Sequence, residues 1–89
     1  GIIKLRRQGV LERAIAQLVE ASPDDYVRVT HSVGGAIAFY GFEVESDEIL
    51  NFSRSLKSGS FAGDPQSELD RFINTLQNLL ARLREESNG

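Results

Sequence analysis

His31 is the single histidine of this 89-residue chain, and cysteine is absent. Ser32 follows it, and Asp24 and Asp25 precede it. These are the residue types of a Ser-His-Asp relay, in which the imidazole takes the hydroxyl proton and a carboxylate orients the ring. Their arrangement works against that chemistry. Residues 26–33 read as a strand, where neighbours such as His31 and Ser32 point to opposite faces. A half-buried, hydrogen-bonded imidazole is the expected state of His31. A metal needs several ligands, and neither a second histidine nor a thiolate is present to join it.

The acidic cluster Glu43, Glu45, Asp47 and Glu48 resembles half of a calcium loop. That loop requires glycine at its sixth position and glutamate at its twelfth. Counted from Glu43, those positions hold Glu48 and Arg54. Gly34, Gly35 and Gly41 do not form a phosphate loop either, because no Lys-Ser/Thr follows at the required spacing. No cofactor and no metal is expected. Lys4, Arg6, Arg7 and Arg13 make up the basic cluster and are the candidate phosphate contacts. Four such charges support weak, salt-sensitive binding to nucleic acid. No stacking aromatics lie among them.

The elements that would carry these residues follow from periodicity. Leu5 to Ala21 reads as a helix with Leu11, Ala14, Ile15, Leu18 and Val19 on its apolar face. Gly9 weakens its start, so residues 1–8 are expected as an arm. Pro23 ends the helix by turning Ser22 away from helical angles. Tyr26 to Val33 is rich in β-branched residues and predicts a strand. Gly34-Gly35 predicts a two-residue hairpin loop, and Ala36 to Val44 the return strand. The resulting register sets Val33 opposite Ala36, His31 opposite Ala38, Val29 opposite Tyr40 and Val27 opposite Phe42. Tyr26, Ile37 and Phe39 then fall on the outer face.

A further helix is expected from Ser46, as its cap, to Ser58, with Gly59 as its stop. Phe61 anchors the connection that follows. Asp64-Pro65 opens the last helix as cap and first residue, and it should run to about Glu86. Leu69, Phe72, Ile73, Leu76, Leu79, Leu80 and Leu83 form a wide apolar stripe along it. Residues 87–89 are expected to fray. The reading is a single α+β domain over residues 1–89, of order helix, β-hairpin, helix, helix. A two-stranded antiparallel hairpin packs on the long C-terminal helix.

Composition narrows the function. The chain is 40% hydrophobic and 26% charged with net charge −3, which suits a globular fold and gives no global pull toward polyanions. No apolar run reaches membrane-spanning length, and Gly1 to Arg7 lacks the apolar stretch of a signal peptide. A cytoplasmic location is the expectation. A body of this size without disulfides or metal is marginal by itself, and oligomerisation is the remedy left. The expected function is therefore a non-catalytic protein–protein interaction module, homodimeric or part of a larger assembly. Its interface residues would be Tyr26, Ile37, Phe39, Leu76, Leu79, Leu80 and Leu83. The alternatives are a small regulator touching nucleic acid through its basic N-terminal segment, and a ligand sensor or enzyme with a pocket near His31 and Tyr40.

Overall fold

A computed structural model describes the backbone of residues 2–88 and the side chains of residues 6–86. The domain is all-helical over that span. Its elements are α1 (Ile2–Glu20), a short 3-10 turn (Pro23–Asp25), α2 (Tyr26–Phe39), α3 (Glu43–Ser58) and α4 (Pro65–Asn88). Residues 2–8, expected as an arm, belong to α1, and residues 87–88, expected to fray, belong to α4; residues 1 and 89 and the side chain of Lys4 lie outside what the structure describes.

The α+β expectation is thereby corrected. Among the described residues there is no strand and no β-hairpin. Residues 26–33, read as one strand, and residues 36–39 of the other belong to α2, which runs straight through Gly34-Gly35. The reason lies in which residues the rest of the chain covers. Tyr26, Val29, Thr30, Val33, Gly34 and Ile37 are buried, a spacing of three and four that only a helix turns to one side. Val and Thr lose a few tenths of a kcal/mol in a helix. That is small beside about 1.5–3 kcal/mol for each large apolar side chain removed from water.

Gly34 has a packing role rather than a turn role. A Cβ there would stand 2.6 Å from Leu50 Cγ and Cδ2, so its absence lets α3 approach α2 closely. The chain turns instead at residues 40–42, where Gly41 takes φ 92°. The helix expected from Ser46 starts three residues earlier, at Glu43. Ser46 is therefore not a cap. It is buried inside α3, and its Oγ donates to the Gly34 carbonyl at 2.8 Å. Ser53 Oγ makes the same kind of bond to the Val27 carbonyl at 2.9 Å. These two bonds pin α3 antiparallel along α2. Ser46→Ala should cost about 1 kcal/mol, read as a lower urea midpoint with an unchanged slope.

The remaining stops follow local chemistry. Gly59 takes φ 74° beyond α3, and its N–H and that of Ser60 return to the Leu56 and Ser55 carbonyls. Phe61 packs edge-on against Phe52 with centroids 5.0 Å apart. Asp64 Oδ1 accepts the Gln66 N–H at 3.3 Å, ahead of Pro65 in the first turn of α4.

The four helices form a body of 44 × 20 × 19 Å. α2 packs most closely on α3, and α1 lies against both α2 and α4. Leu11, Leu18, Val33, Ile37, Ile49, Leu69 and Leu76 are its fully buried centre. Arg84 closes on Glu12 at 2.9 Å, joining α4 to α1 at the rim. None of the described helices is long and apolar enough to cross a membrane.

Candidate interaction face

The core takes most of the residues expected at an interface. Leu76 and Ile37 are fully buried, and Tyr26, Leu80 and Leu83 nearly so. Leu79 is half-buried and packs on the same core. Tyr26 also donates its hydroxyl to Gln66 Oε1, tying the start of α2 to α4. The leucine stripe of α4 is thus covered by α1 and its neighbours within one chain. Phe39 is the exception, with 84% of its surface exposed.

Phe39 stands on the last turn of α2. Its ring meets Tyr40 edge-on, centroids 5.3 Å apart and planes at 71°. Tyr40 in turn lines two adjoining shallow grooves between α1 and α2. One, of about 280 Å³, includes Val10, Arg13, Ser32 and Ala36. The other, of about 300 Å³, includes Arg6, Gly9, Val10 and Arg13. His31, exposed on the outer face of α2, lines neither. No hydrogen bond among the described residues joins His31 to Ser32 or to an aspartate. None of the described His, Asp and Glu side chains gather in a group fit for a metal ion.

The basic residues divide by environment. Arg7 lies over the Phe42 ring at 4.6 Å from its centroid, with Nε buried and without a hydrogen-bond partner. It is spent on packing the α2–α3 turn. Arg6 and Arg13 are exposed, seven residues apart on one face of α1, and pair with no carboxylate among the described residues. Contrast Arg71, which reaches Glu48 at 3.6 Å and also pairs with Glu68. That arginine rims a groove of about 400 Å³ between α3 and α4, floored by Phe52 and Phe72. Its charge is already satisfied inside the chain.

The α3 side of the same turn is acidic. Glu43, Val44 and Asp47 share an exposed face, and Val44 keeps 67% of its surface in water. Sequence reasoning missed Val44 because the hairpin register turned it inward. The helical spacing from Val44 to the buried Ser46, Ile49 and Ser53 would have set it outward, had α3 been recognised from Glu43. Val19, also exposed, stands apart on the last turn of α1. Gly35, Ala36 and Ser32 complete the outer surface of α2. A Cβ on Gly35 would meet nothing within 4 Å, so packing within the chain does not require that glycine.

This face offers no grouped nucleophile, base or metal ligand. It offers the exposed ring of Phe39, with the exposed Arg6 and Arg13 on the α1 side and Glu43, Val44 and Asp47 on the α3 side. No family model, curated protein or solved structure matches the chain.

Proposed function

We propose that this chain is a non-catalytic interaction module that pairs with a second copy of itself through the outer face of α2. The observation that carries the reading is Phe39. An 89-residue domain that buries most of its leucine stripe nevertheless leaves this ring 84% in water, braced against Tyr40. Burying a phenylalanine is worth about 1.5–3 kcal/mol. Aromatic side chains are enriched at the cores of protein contacts, inside a polar rim.

A stable pair removes about 800 Å² from each protomer. That is roughly a seventh of the 5634 Å² this chain exposes. The outer surfaces of α1, α2 and α3, side by side along a 44 Å body, are broad enough to supply it. The mechanism is burial of Phe39 and Val44, less the cost of association.

Molar mass measured across a dilution series tests this. The expected result is a species of twice the 9.8 kDa chain mass that dissociates on dilution. Phe39→Ser should weaken the pairing by about 10- to 100-fold. The melting temperature of the dilute protomer should hardly move, since surface substitutions change stability by roughly 0.5 kcal/mol or less. A chain that stays monomeric at every concentration defeats the reading.

A further inference from the structure

We infer that the second copy sits on a two-fold axis parallel to α2, with the basic row of α1 on the acidic first turns of α3 of the other copy. This rests on the pairing proposed above and specifies its geometry. The argument begins with helix order. α1 and α3 flank α2, and both run antiparallel to it. Tyr40 shares a groove with Arg6 and Gly9, while Ser32 shares one with Arg13 and Gln17. Ser46 bonds to Gly34 and Ser53 to Val27. α1 and α3 therefore both start from the end of the body that holds Phe39.

A two-fold axis along α2 exchanges left and right but keeps height. It lays α1 of one copy over α3 of the other, starting ends together, and α2 over α2. Arg6 then faces Glu43, and Arg13, deeper along its helix, faces Asp47. Phe39 meets Phe39 at the axis. An isologous contact repeats the same pairing twice. The alternative axis, perpendicular to α2 within the contact plane, would stack arginines on arginines and carboxylates on carboxylates.

The charges on both sides are free for the purpose. Arg6 and Arg13 have no carboxylate partner among the described residues, and neither Glu43 nor Asp47 has a cationic one. The surface between them is low toward the Phe39 end, where Ser32, Gly35 and Ala36 are exposed on α2 and nothing within the chain lies within 4 Å of a Cβ on Gly35; His31 and Arg28 are exposed farther from that end. Small residues along the axis let the two α2 helices approach, and the flanking charges fix which way they face.

Charge reversal in trans is the test. One variant carries Arg6→Glu and Arg13→Glu, so both its flanks are acidic. The other carries Glu43→Lys and Asp47→Lys, so both its flanks are basic. All four side chains are exposed, and circular dichroism checks the fold of each variant. Each variant alone should lose self-association by at least about tenfold, because like charges then face each other twice. An equimolar mixture should recover a heterodimer, detected by molar mass and native electrophoresis. Phe39→Ser in both partners should abolish that heterodimer, which separates the docked pair from bulk attraction between unlike chains.

Should the lysine variant fail to fold, Glu43→Gln with Asp47→Asn replaces it. The readout is then the salt dependence of wild-type pairing, which must flatten when these charges are removed. Variants that each self-associate as well as wild type overturn the charge-paired geometry while leaving the dimer intact. A monomeric wild-type chain overturns both proposals. A heterodimer that survives Phe39→Ser overturns the placement of the axis.

Discussion

Leu76→Ala is expected to remove about 2–5 kcal/mol of unfolding free energy. Leu76 is fully buried in the middle of α4, inside the cluster that includes Leu11, Leu18 and Leu80. Truncation takes away its transfer free energy and leaves a void that rigid helices close only in part. For 89 residues the whole stability is about 4–13 kcal/mol. The loss is therefore a large share of it, and the melting temperature should fall by roughly 10–30 °C. Differential scanning calorimetry over a wide range of protein concentration is the measurement. The penalty belongs to a single protomer, so it should be the same at every concentration. A penalty that vanishes on dilution would put Leu76 between chains and contradict its burial within one.

The contrast between Leu76 and Phe39 shows what the sequence could and could not say. The stripe from Leu69 to Leu83 announces a helix and a buried face, because seven apolar residues at helical spacing have no other use. It does not announce what covers that face. The cover is α1 and its neighbours, and that fact depends on contacts distant in the chain. The helix ends were legible where a residue acts on its own backbone: Gly59 at φ 74°, Pro65 in the first turn and Asp64 before it.

Residues 26–39 were not legible for a physical reason. Val27, Val29, His31 and Val33 alternate as a strand does, while Tyr26, Val29, Thr30, Val33 and Ile37 repeat as a helix does. Both periods are present in one segment, and β-branched residues favour the first. The decision comes from α3. Leu50 needs a residue without a Cβ opposite it, and Ser46 and Ser53 find helical carbonyls to bond. Thr30 answers locally, its Oγ1 donating to the Tyr26 carbonyl at 2.5 Å. The Leu50 and Ser53 partners lie outside a window of fifteen residues. The candidate face inherits the same difficulty. Phe39 points outward in either geometry, but the groove that sets its neighbour Tyr40 beside Arg6 and Arg13 forms only once α2 is a helix.

Gly34 and Gly35 give the sharpest test of that helix, because adjacent substitutions should act in opposite directions. Gly34→Val places a Cβ 2.6 Å from Leu50 Cγ and Cδ2, and two methyl groups beyond it. The contacted atoms include the branch point of Leu50, so a turn of its outermost methyl does not clear the space, and α3 must move away. Overpacking of this kind costs about 1–3 kcal/mol. Moving α3 also strains the 2.8 Å bond from Ser46 to the Gly34 carbonyl, worth about 1 kcal/mol more. The helix-propensity gain of valine over glycine, a few tenths of a kcal/mol, is too small to compensate. In a Leu50→Ala background the packing part of the penalty should shrink, a coupling read by a double-mutant cycle. Gly35→Ala meets nothing within 4 Å and sits where φ is negative, so it should stabilise the protomer by about 0.5–1 kcal/mol. A Gly-Gly hairpin loop would instead hold both residues at positive φ, and both substitutions would then be costly. Urea unfolding of the two variants thus separates the structures: opposite signs require the helix, and two losses of similar size would restore the hairpin.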